Sequence, residues 1–221
     1  MKDRTINLND KPTIILGSGT HAKVLIDILK KCGRKILGVT DPNKKIGENC
    51  NSVKVLGNDD IISKYSISDI ELVNSLAGLN TKELSRKLTK SLEDKGYVFT
   101  KVVHPSAIIA DEVVLSNGVQ IMAGAIIQSG VKIGHSSIVN TGAIIDHDCV
   151  INENCHIAPG VTLNGNVVIG QSTHIGTGTS VIENKKIGKN CIIAAGSIVY
   201  NDIPANSKFI QIRKEKKEVT V

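Results

Sequence analysis

A repeat of six residues dominates the second half of the chain. In steps of six from Ile109 to Val199, every position holds Ile, Leu or Val. An amphipathic helix repeats every 3.6 residues and a half-buried strand every two, so neither produces this period. A hexapeptide period is typical of a parallel β-helix. The repeat therefore predicts a β-helix of about five coils that runs from Val103 to Ile203 and is ended by Pro204.

Each coil of such a prism uses three hexads, about 18 residues, for three flat faces and three corners. The aliphatic residues are expected to face inward and to stack on their equivalents in adjacent coils, about 4.8 Å away. An aromatic content of only 2% fits an interior built from aliphatic chains. The small residues Cys149 and Cys155 are expected to fill the core. Corners that need positive φ are expected at Gly118, Gly124, Gly130, Gly142, Gly160, Gly178 and Gly196.

The N-terminal part of the chain follows a different pattern. An apolar run at 13–16 precedes the glycine turn 17–21 (GSGTH), a helical pattern covers 22–31, and a second strand at 35–39 leads into residue 41. This order places a helix N-terminus beside the glycine turn, where a phosphate is favoured. A turn without ligand remains the alternative, because the dinucleotide fingerprint is incomplete. The residues expected to hold a nucleotide are Gly17, Ser18, Gly19, His21 and Asp41.

The same part continues with a strand at 70–73, a turn at 74–78, a helix from about Thr81 to Asp94 and a strand from Tyr97 to Val103. The six-residue period begins near Val102. We therefore predict two domains, a Rossmann-like α/β domain at residues 1–102 and a β-helix domain with a C-terminal tail at 103–221.

Composition narrows the class of protein. Part of the net charge of +6 lies in the tail from Arg213 to Lys217, a pattern typical of a solvated terminus. Few aromatic residues are present for base stacking, which argues against nucleic-acid binding. Five cysteines without CxxC spacing, and no apolar segment at Met1 to Arg4, favour a cytoplasmic protein without membrane insertion.

Three motifs carry a resemblance to a known family. They are the HPSA junction at 104–107, the segment NTGAIIDHDCV at 140–150 and the segment HIAPG at 156–160. The chain resembles the sugar O-acyltransferase and sialic acid O-acetyltransferase family of hexapeptide-repeat acyltransferases, which includes N-acetyltransferases of nucleotide-linked 4-amino sugars. The resemblance spans about 13–204. Two departures are Thr20, where the family commonly has glycine, and the absence of a Gly-x-Pro-Ala segment after the last coil.

The resemblance implies a left-handed β-helix, a homotrimer, acetyl-coenzyme A (acetyl-CoA) as donor, and a nucleotide-sugar acceptor bound by the N-terminal domain. It also implies an N-acetyltransferase of bacterial surface glycan biosynthesis, acting on a UDP-linked 4-amino sugar. Asn140 is implied to position the sugar, while the coenzyme is implied to contact His156, Gly165, Thr177 and Ala195.

The residues themselves suggest a general base. His147 lies between Asp146 and Asp148 near a corner of its hexad, and a neighbouring carboxylate raises the basicity of an imidazole and fixes its tautomer. We expect His147 to remove the acceptor's proton, Asp148 to orient it, and a backbone N–H such as that of Gly165 to stabilise the oxyanion. A surface histidine in a polar turn is the alternative.

Other readings of the histidines stay open. Zinc-dependent β-helix carbonic anhydrases use three histidines, but the histidines of this repeat lack the close pair of that family, so no metal is expected. His174 is expected to stack on His156 as packing. Acetylation of a hydroxyl, for example on sialic acid, would use the same base. A non-catalytic β-helix binding protein would not need His147.

Overall fold

The computed structural model describes residues 11–211, so the segment Met1 to Arg4 and the basic tail from Arg213 to Lys217 lie outside the described residues. The N-terminal part is a five-stranded sheet of order β3-β4-β2-β1-β5. All neighbouring strands are parallel except β3 and β4. The elements are β1 Thr13–Leu16, α1 Thr20–Lys31, β2 Ile36–Thr40, β3 Asn49–Cys50, β4 Val53–Gly57, β5 Glu71–Asn74 and α2 Lys82–Glu93, with 3₁₀ turns at Asp59–Lys64 and Leu79–Thr81.

The β1 strand is buried along its whole length, as expected for a central parallel strand covered on both faces. On one side, the apolar face of α1 packs between this sheet and the β-helix, in one core that includes Leu25, Met122 and Ile138. On the other side, a second core contains Ile62, Leu92 and Phe99. The N-terminal domain is thus joined to the β-helix by a continuous apolar contact through α1.

The second part is a parallel β-helix of two-residue strands, which confirms the prediction from the six-residue period. The strands fall into three parallel sheets, of seven, six and five strands. Paired strands lie one full coil apart, as in the pair Ile127 and Ile145. The seven-stranded sheet, sheet C, is formed by β6 Val102–Val103, β9 Gln120–Ile121, β12 Ile138–Val139, β15 His156–Ile157, β18 His174–Ile175, β21 Ile192–Ile193 and β23 Lys208–Phe209.

The other two sheets use the intervening strands. Sheet D is formed by β7 Ile108–Ile109, β10 Ile126–Ile127, β13 Ile144–Ile145, β16 Thr162–Leu163, β19 Ser180–Val181 and β22 Ile198–Val199. Sheet E is formed by β8 Val114–Leu115, β11 Lys132–Ile133, β14 Val150–Ile151, β17 Val168–Ile169 and β20 Lys186–Ile187.

The small residues inside the β-helix fill space and also donate hydrogen bonds to backbone carbonyls. The thiol of Cys149 donates to the carbonyl of Asn164 at 3.1 Å, and the hydroxyl of Ser137 donates to that of Asn152 at 2.8 Å. Cys149 and Cys155 are fully buried, and burial raises the pKa of each thiol to about 11. Both side chains belong to the aliphatic core of the β-helix, so the prediction that they fill the core is confirmed.

The corners behave as the sequence predicts. All seven glycines expected there have positive φ, between 65° and 75°. Several of the other corners hold Asn, Ser or Asp in the same left-handed region, among them Asp148 at φ 58° and Asn166 at φ 59°. Asn and Asp tolerate this conformation better than other residues with a Cβ, so they can replace glycine at a corner and still offer a side chain.

Two sequence predictions of the fold are wrong. The expected strand from Tyr97 to Val103 is divided, because Phe99 bridges Leu72 of the N-terminal sheet, whereas Val102–Val103 already belongs to the β-helix. Pro204 does not end the repeat. Lys208–Phe209 still pairs with Ile192–Ile193. The proline is tolerated because it follows Ile203, the last residue to bridge to sheet E within residues 11–211, so its missing N–H has no further coil to bond, unlike the equivalent Gly188 N–H, which donates to Ile203.

The sequence patterns also did not indicate the short hairpin of β3 and β4 or the 3₁₀ turn that follows it. Within residues 11–211, no helix is both long and apolar enough to cross a membrane.

Candidate active site

The glycine turn lies at the point where the sheet order reverses. β1 has β2 on one side and β5 on the other, so the loops after β1 and β5 diverge and leave a crevice at the carboxyl ends of the strands. Gly17 has φ +86°, and a Cβ there would lie 2.8 Å from the hydroxyl of Ser75. Only glycine therefore fits at this position, where the two loops leave their adjacent strands and have not yet separated. A Cβ on Gly19, the N-cap of α1, would meet no atom within 4 Å.

Asp41 follows β2 and contacts the glycine turn. The hydroxyl of Ser18 donates to one carboxylate oxygen, and the backbone N–H of Asn43 donates to the other at 2.9 Å. Burial alone would raise the pKa of Asp41, but these hydrogen bonds and the nearby Lys44 ammonium outweigh it, so its pKa is lowered. Asp41 is therefore an ionised acceptor beside the glycine turn, able to bind hydroxyl or N–H groups.

A second group of polar side chains joins the N-terminal domain to sheet C. His21 Nε2 lies 2.8 Å from Gln120 Oε1, and the Gln120 amide donates to the carbonyl of Asn74 at 2.7 Å. Burial lowers the pKa of His21, against the opposing effect of its bond to Gln120. Asn74 is the last residue of β5, so this chain of hydrogen bonds runs from the first turn of α1 through Gln120 of the β-helix to the end of β5.

His156 forms a second bridge of this kind, further along sheet C. Its Nδ1 lies 3.1 Å from the carbonyl of Ala77, and its Nε2 lies 3.2 Å from the Asn140 amide nitrogen. Because a carbonyl oxygen only accepts, Nδ1 carries the proton and Nε2 accepts from Asn140. Burial, and then the neighbouring His174, lower the pKa of His156 to about 4. The ring is therefore neutral, and both of its nitrogens are occupied by this chain.

His174 stacks on His156 as expected, with ring centroids 4.9 Å apart in an edge-on arrangement. Burial lowers the pKa of His174, and the Lys82 ammonium adds to that effect. Both rings border a small cavity of about 60 Å³ under the start of α2, which is also lined by Leu79 and Arg86.

His147 occupies a different corner, directly after β13 of sheet D. Its Nδ1 lies 2.9 Å from a carboxylate oxygen of Asp148, and its backbone N–H donates to Asp146 at 2.7 Å. The bond to Asp148, followed by the charge of Asp146, raises the pKa of His147. Because Asp148 accepts the proton on Nδ1, neutral His147 presents a lone pair at Nε2, which is the arrangement a general base requires.

Two glycines of the adjacent coils make room for this His147–Asp148 dyad. A Cβ on Gly165 would lie 2.6 Å from both Nε2 and Cε1 of His147. A Cβ on Gly130 would lie 2.4 Å from a carboxylate oxygen of Asp148. Both residues of the dyad are nevertheless solvent-exposed, so the glycines shape the site without enclosing it.

The two remaining positions predicted to contact the coenzyme lie at a different corner of the prism from His147. Thr177 and Ala195 are exposed, lie one coil apart, and occupy successive turns at the same corner of the prism as the turn that follows Asn140. This corner follows sheet C, whereas the His147 corner follows sheet D. No hydrogen bond within residues 11–211 joins His147 to Asn140 or His156.

The structure thus forms three clusters from the predicted residues: the glycine turn with Asp41, the Asn140–His156 pair, and the His147–Asp148 dyad beside Gly165. Sequence reasoning missed Gln120 and Asn74. The available signal was the position of Gln120, a polar residue in the same outward column of sheet C as His156 and His174. No group of three or more His, Cys, Asp or Glu side chains in the described part of the chain could hold a metal ion.

A nucleotide-type α/β domain joined to a hexapeptide β-helix that carries a histidine–carboxylate dyad defines a class, the hexapeptide-repeat acyltransferases. Two family models match the chain: the PglD N-terminal domain at residues 13–81, and the bacterial transferase hexapeptide (six repeats) at residues 130–165. None of the curated proteins compared by sequence matches it.

Solved structures narrow the class further. A mutant of perosamine N-acetyltransferase from Caulobacter crescentus, in complex with CoA and GDP-perosamine, is 32% identical, with 89% of this chain and 92% of that one covered and a TM-score of 0.84. The acetyltransferase domain of PglB from Neisseria gonorrhoeae, in complex with acetyl-CoA, is 26% identical, with coverages of 90% and 95% and a TM-score of 0.84. WeeI from Acinetobacter baumannii is 25% identical, with coverages of 90% and 95% and a TM-score of 0.80.

The chain belongs to the hexapeptide-repeat sugar acetyltransferases with a PglD-type N-terminal domain. The predicted family and fold class, an α/β domain followed by a left-handed parallel β-helix, are confirmed.

Proposed function

We propose that the protein transfers acetyl from acetyl-CoA to the amino group of a nucleotide-linked sugar, with His147 as general base. The observation that carries the proposal is the His147–Asp148 dyad, whose unprotonated Nε2 points into the gap left by Gly165. This dyad lies on a fold that aligns over most of its length with an N-acetyltransferase bound to CoA and a nucleotide amino sugar.

The proposed step is a direct transfer. The amine nitrogen attacks the thioester carbonyl, a C–N bond forms, and the C–S bond breaks to release CoA thiolate. His147 takes the proton lost by the amine and can return it to the thiolate, while Asp148 stabilises the imidazolium that forms between these events. The Gly165 N–H, which makes no hydrogen bond to residues 11–211, is our candidate for stabilising the oxyanion. The step needs neither a metal nor an acyl-enzyme.

We assign the acceptor's nucleotide to the domain at 1–102. The crevice at the reversal of the sheet order is where such folds bind nucleotides. There the N-terminus of α1 would face the phosphates beside Gly17, Ser18 and Gly19, and ionised Asp41 would accept from the base or ribose. We assign acetyl transfer to the domain at 103–221, with the coenzyme along the corner of Thr177 and Ala195. A reaction that consumes acetyl-CoA and a sugar nucleotide is assigned to the cytoplasm.

We further propose a homotrimer, in which sheet D faces a neighbouring copy. The outward column of this sheet includes isoleucines that this chain leaves uncovered: Ile108 is 64% exposed, Ile144 40% and Ile198 49%. The first strands of sheet C are covered by α1, and the outward column of sheet E places exposed lysines such as Lys132 beside Val114. His147 directly follows β13 of sheet D. A second copy packed on this face would therefore bring its own corner of Thr177 and Ala195, where we place the coenzyme, close to His147 and complete the active site.

The test is a thioester-consumption assay with acetyl-CoA and three acceptors: GDP-perosamine, a UDP-linked 4-amino sugar and free sialic acid. We expect turnover with an amino sugar nucleotide, and a loss of about 10²–10⁴-fold in His147→Ala. The matched control is His104→Ala, since the His104 ring bonds within its own turn, to Ser106. Near-wild-type turnover in His147→Ala, or transfer to sialic acid alone, would refute the proposal.

A further inference from the structure

The orientation of the Gln120 side chain can be deduced from its partners. Gln120 is buried, at 4% exposure, and bonds at once to the carbonyl of Asn74 and to the ring of His21. A carbonyl oxygen only accepts, so the amide NH₂ must point to Asn74, and Oε1 must point to His21. Since Oε1 also only accepts, the hydrogen between the two side chains belongs to His21 Nε2.

The proton on Nε2 leaves the other ring nitrogen of His21 as an acceptor. Burial lowers the pKa of His21, so the neutral ring with a lone pair at Nδ1 is the favoured form. None of the described residues donates a hydrogen bond to Nδ1. A neutral imidazole held in this tautomer can bind a hydrogen-bond donor through Nδ1 and cannot donate to a ligand from that atom.

The position of His21 limits which part of a ligand it can meet. It lies in the first turn of α1, just after Gly19, where the space at the helix start is open. A diphosphate held at this turn presents ionised oxygens, which only accept hydrogen bonds. An acceptor facing an acceptor gains nothing and costs desolvation. The groups of a sugar nucleotide that donate are the N–H and hydroxyl groups of the base and ribose, which we assign to Asp41, and the hydroxyl and amino groups of the sugar. The sugar is therefore the part that remains for His21.

We propose that Gln120 is a positioning residue that holds His21 in the Nε2–H tautomer, so that His21 Nδ1 accepts a hydrogen bond from a hydroxyl or ammonium group of the acceptor sugar and does not bind the diphosphate. The inference rests on the proposed function for the identity of the ligand, and on the Asn74–Gln120–His21 geometry alone for the tautomer. It gives the β-helix domain a role in selecting the sugar through a residue of the N-terminal domain.

The first experiment needs no ligand. Long-range proton–nitrogen correlation spectra of histidine-labelled protein, assigned with His21→Phe, report which ring nitrogen carries the proton. We expect the Nε2–H pattern in wild type, a mixture of tautomers in Gln120→Leu, and the Nε2–H pattern in Gln120→Glu, because a carboxylate still accepts from Nε2. The His104 signal is the internal control and should not change. An Nδ1–H pattern in wild type, or an unchanged pattern in a folded Gln120→Leu, would overturn the positioning role.

The second experiment compares ligands with and without the sugar by titration calorimetry. The probes are GDP against GDP-perosamine, and UDP against a UDP-linked 4-amino sugar. In His21→Phe we expect binding of the sugar nucleotide to weaken about tenfold, the effect of one lost hydrogen bond, with the nucleoside diphosphate unaffected. Equal weakening of both would show that His21 contacts the nucleotide part that the two ligands share, and would overturn the sugar contact.

These experiments distinguish a failure of the proposed function from a failure of the contact between His21 and the sugar. If wild-type protein binds neither sugar nucleotide, the proposed acceptor and the sugar contact both fail, while the tautomer spectra still decide the role of Gln120. If the protein acetylates a sugar nucleotide but His21→Phe leaves its affinity unchanged, only the sugar contact fails.

Discussion

Gly165→Ala should separate catalysis from folding, because the closest atoms that the added methyl would meet belong to the ring of His147. An alanine Cβ at this site would lie 2.6 Å from Nε2 and Cε1 of His147, closer than atoms in folded proteins come to a Cβ. The φ of Gly165 is not positive, so alanine is compatible with the backbone. In contrast, a Cβ on Gly170 would meet backbone atoms at 2.4 Å, so substitution there should disturb the coil itself.

The size of the effect follows from the required movement. Ordinary carbon contacts are about 3.5–4.0 Å, so the exposed His147 ring must move by about 1 Å to accommodate the methyl group. A displacement of that size in a reacting group can lower the rate about 10²-fold. The ring can move into solvent, so the free energy of unfolding should change by less than about 1 kcal/mol.

The assay is turnover at saturating acetyl-CoA and acceptor, with thermal unfolding of the same preparations. The matched control is Gly124→Ala, since its methyl would meet no atom within 4 Å but would adopt φ +68°. That variant should lose about 1 kcal/mol of stability and keep its turnover.

A double-mutant cycle gives the sharper test. In a His147→Ala background, Gly165→Ala should cause no further loss, because the ring it displaces is gone. An additional loss of tenfold or more there would refute the steric reasoning and show that Gly165 acts independently of His147.

Two further predictions concern the base and the assembly. Because Asp148 and Asp146 raise the pKa of His147, the acid limb of the pH–rate profile should have its midpoint above pH 6.5, and Asp148→Asn should move it to lower pH while keeping the fold, since asparagine suits φ 58°; a midpoint that stays in place in initial-rate measurements would argue against His147 as the titrating base. Ile144→Asp should dissociate a trimer observed by sedimentation and abolish turnover, whereas Lys132→Asp on sheet E should leave both unchanged; a fully active monomeric wild type would refute the assembly.

The β-helix could be predicted because its signal is repeated. Each coil buries the same kind of residue at the same interval, so the period is evident along the whole repeat from Ile109 to Val199. Its end was harder to predict. Ile203 bridges Ile187 and Phe209 pairs with Ile193, both at a shorter spacing along the chain than the pairs of the preceding coils, so the last coil departs from the hexad count.

The N-terminal domain was predicted less completely, because short elements carry too few residues for a period. The β3 strand has two residues, and its pairing with β4 follows from a turn at Asn51 and Ser52, both at positive φ. The strand predicted from Tyr97 to Val103 combined two elements, since apolar residues continue across the boundary between the sheet and the β-helix. Periodicity alone does not show which of two neighbouring sheets a strand joins.

In the candidate site, a contact between neighbours in the sequence could be predicted, whereas a contact between distant residues could not. His147 and Asp148 are adjacent in sequence, so their contact needs only a corner. The bond between His21 and Gln120 joins residues 99 positions apart, and its importance lies in which atom donates. A sequence does not show that orientation, because it depends on a third partner, the carbonyl of Asn74.

The end of β5 and the loop that follows it are hydrogen-bonded to the β-helix. The carbonyls of Asn74 and Ala77 accept hydrogen bonds from Gln120 and His156, two side chains of the same outward column of the β-helix. The same loop borders the crevice in which we place the nucleotide. Buried donors of this kind hold their partners firmly, because leaving either one unpaired costs about 1–3 kcal/mol. The β-helix therefore sets the position of a wall of the nucleotide crevice, so a change in the Gln120 or His156 column should alter acceptor binding even though neither residue lies in the N-terminal domain.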